Sequence, residues 1–161
     1  MQANIEDMTA KIVEALAQGA DAAAIRGLTE TQLEAVYGLG SILYEQKKFE
    51  QAEQVFAWLV REKPVSARFL KALGAARQMM ERYESALDAY GLAAVIDLDD
   101  PTPSLHAAEC LLHLNEVERA RQALDAASEQ AGDKHTDVIE KIAILRKAIP
   151  VEPTRNKGNQ S

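Results

Sequence analysis

The sequence predicts an all-α protein, and three observations carry that prediction. Alanine, leucine and glutamate are abundant while glycine, aromatics and β-branched runs are sparse, a balance that favours helices. Apolar residues recur at helical spacing rather than in strict alternation. The chain also repeats itself at a step of 34 residues. At 161 residues it is one domain's worth, long enough to bury a proper core.

Taken in order, the first element is a helix near residues 4–18, with Ile5, Met8, Ile12, Val13 and Leu16 as its apolar residues and Gly19 as its stop. A short helical turn around Asp21 to Arg26 ends at Gly27. Thr29 and Gln32 form a capping-box pattern that opens a helix near 30–46. Its partner runs near 49–62, with Pro64 following its end. Two more pairs are expected at 67–80 with 83–97 and at 101–114 with 117–131, the last pair opened by Asp100 as N-cap and Pro101 at the first helical position. Val138, Ile142, Leu145 and Ile149 share one face of a helix near 135–149. From Pro150 onward "PVEPTRNKGNQS" has no apolar period and two prolines, and reads as a disordered tail, 150–161.

The internal repeat fixes how these pairs relate. Setting "VYGLGSILYEQKKFEQAEQVFAWLVREKP" (36–64) above "LKALGAARQMMERYESALDAYGLAAVIDL" (70–98) aligns Gly40 with Gly74, Leu39 with Leu73, Ala52 with Ala86 and Phe56 with Tyr90. A third copy at the same step has Ala108 at the glycine place, Ala120 at the alanine place and Leu124 at the aromatic place. Small residues at these places let the two helices of a pair approach closely, where large ones would force them apart. The pattern resembles the tetratricopeptide repeat. That resemblance implies repeats at 33–66, 67–100 and 101–134 within a single domain, 1–149, forming a curved superhelix. Stacked repeats expose apolar end faces, so the helices before and after them are expected to act as caps.

Charge and motifs exclude several function classes. The net charge is −7 and basic residues are interleaved with acids, which argues against direct nucleic-acid binding. No apolar run approaches the ~18 residues of a membrane span. The start "MQANIEDMTAKIVEAL" carries acids early and lacks the form of a secretory signal. One cysteine forms no internal disulfide, which fits a reducing cytoplasm.

The segment "DPTPSLHAAECLLHL" (100–114) gathers His106, Glu109, Cys110 and His113 within two helical turns. His106, Cys110 and His113, at i, i+4 and i+7, share a face that suggests zinc, yet a structural zinc takes four ligands and the only other histidine is His135. A mid-helix cysteine also has its neighbouring backbone N–H groups committed, which leaves no oxyanion hole. Cys110 is therefore expected to be a small buried hydrophobe, and no metal or cofactor is expected. "YGLGS" (37–41) lacks the Lys-Ser/Thr of a phosphate loop. With no acid–base pair, nucleophile or cofactor motif, the protein is expected not to be an enzyme.

"DLDDPTPSLHAAECLLHL" (97–114), with "FLKALGAARQMMERYESALDAYGLAAVIDL" before it and "LTETQLEAVYGLGSILYEQKKFEQAEQVF" upstream, resembles the class II chaperones of bacterial type III secretion systems over roughly residues 5–149. The resemblance implies a protein of the bacterial cytoplasm that holds the pore-forming translocator proteins before export. Its groove would bind an extended client segment rich in proline and leucine. Counting repeat positions, the groove-facing places are Glu34, Tyr37, Ser41 and Tyr44, then Arg68, Lys71, Ala75 and Gln78, then Thr102, Leu105, Glu109 and Leu112. Tyr37, Tyr44 and Phe49 match the family's client-binding positions; the alternative is that these aromatics pack against neighbouring helices, Phe49 especially.

Other readings use the same fold. A general tetratricopeptide scaffold would bind peptides without a dedicated client. A clamp for the acidic tail of heat-shock proteins needs Lys and Asn where Tyr37 and Ser41 stand, leaving only Lys71 suitably basic. Some relatives also partner a transcription activator. Trp58, on a helix face expected to be polar, is either tucked into the N-terminal helix or part of a weak homodimer contact.

Overall fold

The structure is a computed structural model that describes residues 29–149. The expected N-terminal helix at 4–18, the turn at 21–26 and the tail from 150 lie outside the described residues. Seven helices follow one another: α1 (Glu30–Glu45), α2 (Phe49–Glu62), α3 (Ala67–Met79), α4 (Tyr83–Ile96), α5 (Thr102–His113), α6 (Val117–Ala131) and α7 (Thr136–Ala148). They stack as three antiparallel pairs of a tetratricopeptide superhelix, with α7 closing the last pair against α6 and α5.

Three helices start for a local reason that the side chains show. Thr29 Oγ1 accepts from Gln32 N at 3.3 Å while Gln32 Oε1 accepts from Thr29 N at 2.8 Å, so the capping box at α1 is complete. Ser66 Oγ accepts from Phe69 N at the start of α3. At α5 the helix begins one residue later than expected, with Pro101 at the cap and buried and Pro103 inside the first turn. Asp100 still serves the helix start: its Oδ1 accepts from both Thr102 N (2.9 Å) and Thr102 Oγ1 (2.7 Å).

Between the two helices of every pair the chain turns a left-handed corner. Lys47, Glu81 and Asn115 have φ of 60°, 58° and 59°, and they sit 34 residues apart. At each corner the next residue's N–H reaches back five residues: Lys48 to Leu43 O, Arg82 to Arg77 O, Glu116 to Leu111 O. These are Schellman closures, made here without glycine.

Within the pairs the small-to-large register sets the packing distance. Phe56 lies on Gly40 and Tyr90 on Gly74, while Leu124 and Ala108 share the third core region. The first core cluster joins α1, α2 and α3 through Val36, Leu43, Phe56, Trp58, Leu59, Phe69 and Leu73. Trp58 is 1% exposed and belongs to that core, and the N-terminal helix, its other expected neighbour, lies outside the described residues. It shares that cluster with Leu33, Val36 and Phe69. Val138, Ile142 and Ile149 bury the face of α7 against Leu124, Ala127 and Ala131, as their spacing predicts.

Candidate functional site

Helices α1, α3 and α5, the first of each pair, supply a continuous row of side chains on one side of the stack, and three cavities lie along it. The first, about 210 Å³, is walled by Tyr37, Ser41, Tyr44 and the exposed Glu45 from α1, Phe56 from α2, and Ala72 and Ala75 from α3. Apart from Glu45 at its edge it is mostly apolar, because alanines on α3 leave room that the aromatic rings of α1 border. Ser41 does not make it polar, since its hydroxyl donates to Tyr37 O at 3.1 Å.

Tyr37 both packs and lines. Its ring lies 5.7 Å from those of Phe56 and Phe69, and the Arg68 guanidinium covers it at 3.8 Å from the ring centre. Arg68 is in turn paired with Glu34 at 2.7 Å. Tyr44 is half-buried, which raises its phenol above the ordinary value. Phe49 packs edge-on against Tyr44, 5.3 Å between ring centres, and the cavity beside Tyr44 is lined without it.

The middle cavity, about 340 Å³, runs from Tyr37, Arg68 and Lys71 to Tyr90, Thr102 and His106. Lys71 pairs with Asp100 and reaches Thr102 Oγ1, tying α3 to the start of α5. Burial pushes the Asp100 carboxyl up, but Lys71 and the two Thr102 donors outweigh it and leave the group below its ordinary value.

A polar relay follows. Tyr90 OH donates to Gln78 Oε1 at 2.8 Å, and Gln78 Nε2 donates to Glu109 Oε2 at 3.0 Å. His106 Nδ1 donates to the same Glu109 oxygen at 2.9 Å while its ring stacks on Tyr90 at 5.4 Å. The His106 donor holds the Glu109 carboxyl below the usual carboxylate range, overcoming desolvation, with further help from Gln78 and the Lys141 charge. Beyond the relay, the third cavity, about 440 Å³, is lined by Gln78, Glu109, Leu112, His113 and Leu145.

Of the ten residues expected in the groove, Tyr37, Ser41, Tyr44, Arg68, Lys71, Gln78, Glu109 and Leu112 border these cavities. Leu105 does not. It is 1% exposed and sits in the core with Leu124, Val138 and Ile142, because α7 closes over the last pair and takes this position inside. Cys110 is buried beside Ala86 and Tyr90, and burial, with the Glu109 charge behind it, pushes its thiol up to about 12. A thiol in that setting stays protonated at neutral pH and is not a nucleophile. His113 stacks flat on Tyr83, 4.6 Å between ring centres.

The tetratricopeptide repeat family matches residues 33–60 and 69–100. Low calcium response locus protein H of Yersinia pestis is 35% identical over 116 residues, 72% of this chain and 69% of that protein. The Yersinia enterocolitica type III secretion chaperone SycD, solved with a peptide of the translocator YopD, is similar at 33% identity with a TM-score of 0.73, covering 75% of this chain and 94% of that one. The chain belongs to the class II type III secretion translocator chaperones. Pseudomonas aeruginosa PcrH, in complex with the chaperone binding region of PopD, is likewise similar, with a TM-score of 0.74 at 32% identity over 77% of this chain and 95% of that one.

Seven residues that line these cavities escape a count of repeat positions: Glu45, Phe56, Ala72, Tyr90, His106, His113 and Leu145. Tyr90 belongs to the second helix of its pair, so only its hydroxyl reaches the groove side. The signal for it is chemical: the equivalent residue in the first repeat is Phe56, and a phenol added at a buried place requires a partner.

Proposed function

We propose that this chaperone holds type III secretion translocators in the bacterial cytoplasm by gripping an extended client segment along the row formed by Tyr37, Ser41, Tyr44, Arg68, Lys71, Gln78, Glu109 and Leu112. The observation that carries the reading is the apolar cavity bounded by Tyr37, Tyr44 and Phe56 over Ala72 and Ala75. It is sized for a proline or leucine side chain, and the hydroxyls of Tyr37 and Tyr44 could meet the carbonyls of an extended backbone. Tyr37 and Tyr44 are about 10 Å apart by helical rise, a span that an extended peptide covers in about three residues. The similar chaperones SycD and PcrH are solved with translocator segments bound, which supports the same class of client here.

A client with long membrane-inserting stretches aggregates when unshielded, and capture of one segment keeps it soluble until export. Handover requires release, which places the affinity between micromolar and nanomolar, about −8 to −12 kcal/mol. The role is binding, with no chemical step. Lys71, the one base that a heat-shock carboxylate clamp would need here, is already committed to Asp100.

Co-expression with the translocators of its own secretion system, followed by size-exclusion chromatography, tests the proposal. Wild type is expected to elute with soluble client, and a folded Tyr37→Ala, Tyr44→Ala double variant to lose it. Retention of the client by that variant would move the binding surface away from the groove.

A further inference from the structure

Resting on the groove reading above, we infer that the third cavity is a subsite for a lysine or arginine side chain of the client, with Glu109 as its anchoring carboxylate. The groove thus reads two features of one segment: an apolar residue at the tyrosine end and a cation at the α7 end.

Three observations carry this. First, both hydrogen bonds to Glu109 arrive at Oε2, from Gln78 and from His106, so among the described residues Oε1 receives none. The carboxylate is held in place by one oxygen and offers the other. Secondly, the cavity beside it has Leu112 and Leu145 for walls, a lining that suits the methylene stem of a basic side chain whose head meets the charge. A purely apolar side chain would leave the Glu109 oxygen desolvated, and an acidic one would face a like charge. Thirdly, the carboxylate at the first cavity, Glu45, is exposed to solvent, whereas Glu109 is partly buried and held in place by two donors. The two ends of the groove therefore differ in how firmly they would hold a cation.

Glu109 is ionised throughout the neutral range, since the His106 and Gln78 donors lower its pKa. Lys141 on α7 contributes to that lowering without entering an ion pair with Glu109 among the described residues. The anchoring site is thus anionic when the groove is empty, and the protein as a whole, at −7, attracts basic segments over longer range.

The test uses overlapping synthetic peptides covering the translocators of the same system, with binding read by fluorescence anisotropy on the full chain. In the peptide that binds wild type best, each Lys and Arg is replaced by Met in turn. One replacement is expected to weaken binding about tenfold, the scale of one charge-assisted hydrogen bond. Glu109→Gln is expected to lose the same factor and to be indifferent to that replacement, so the two losses do not add. A charge swap, Glu109→Lys against the peptide with Glu at that position, is expected to recover affinity, which a merely misfolded variant would not do. The inference is overturned if Glu109→Gln binds as wild type does, or if no basic residue of the peptide matters while Tyr37→Ala, Tyr44→Ala still abolishes binding. If no translocator peptide binds wild type at all, the groove reading itself falls and the subsite falls with it.

Discussion

Gly74 lies so close under the ring of Tyr90 that a Cβ added there would stand 2.7 Å from Cε1. The ring cannot retreat freely, because its hydroxyl is tied to Gln78 on the groove side. A single missing methyl group in α3 therefore sets both the spacing of the second pair and the position of the polar relay.

Gly74→Ala is expected to lower stability by ~1–2 kcal/mol, overpacking outweighing the gain in helix propensity. Gly91 is the control: it is exposed on α4, with nothing within 4 Å of an added Cβ. Gly91→Ala is expected to raise stability by up to ~1 kcal/mol. Urea denaturation midpoints of the two variants should move in opposite directions.

The left-handed corners make a second contrast. Asn tolerates positive φ and stands at 115, whereas Lys47 and Glu81 adopt the same conformation at a cost of about 1 kcal/mol each. Lys47→Asn and Glu81→Asn are expected to raise stability by ~0.5–1 kcal/mol each, and Asn115→Lys to lower it by a similar amount. Additive shifts in melting temperature for the two stabilising changes would confirm that the corners act independently.

The depressed carboxyls predict an acid limb. Asp100 and Glu109 both have folded pKa values below their ordinary ones, so the native state binds fewer protons than the unfolded chain in the acid range. Their contribution is complete above the unfolded value, about 4, and is lost as pH falls through the folded value. Asp100→Asn and Glu109→Gln should each melt lower than wild type near neutrality yet show a shallower decline towards about pH 3. Thermal melts across that range check the sign, and equal slopes for wild type and variants would refute it.

Much of the fold was legible because the physics that sets it is short in range. The capping box at Thr29 needs two residues three apart, and the pairing of Gly40 with Phe56 and of Gly74 with Tyr90 shows as one register repeated at 34 residues. The same count places Tyr37, Ser41 and Tyr44 of α1 and Arg68, Lys71, Ala75 and Gln78 of α3 beside the cavities. It failed at Leu105, where the residue's surroundings are decided by a helix outside the repeat: α7 packs on the last pair and converts a groove position into core. Trp58 shows the same limit, since its burial is shared with a cluster that includes Phe69 and Leu73 of α3, which no pattern within α2 announces. The ties between Lys71 and Asp100 and between Gln78 and Glu109 join residues about thirty positions apart, and no local pattern announces them.

Cys110 offers a probe of the same region. With its thiol buried and pushed up to about 12, it is expected to react with a disulfide reagent at mildly alkaline pH only when α5 opens, at a rate that denaturant raises. Gly74→Ala, by loosening Tyr90 beside it, should speed the reaction in the native state. Immediate labelling of the native wild type would show that this face of α5 is open to solvent.

Helix contacts run almost entirely between neighbours along the chain, apart from α1 with α3 and α5 with α7. Mechanically, the stack is a set of leaves clamped face to face, and small tilts at successive joints accumulate along it. Each cavity keeps its shape because adjacent leaves wall it, while the span from Tyr44 to Leu145 is the compliant dimension. Such a body fits client segments of different length by changing its pitch and leaves its joints packed. Spin labels on exposed Ile42 and Ile144 should report a broad distance distribution that sharpens when a client segment spans the two ends.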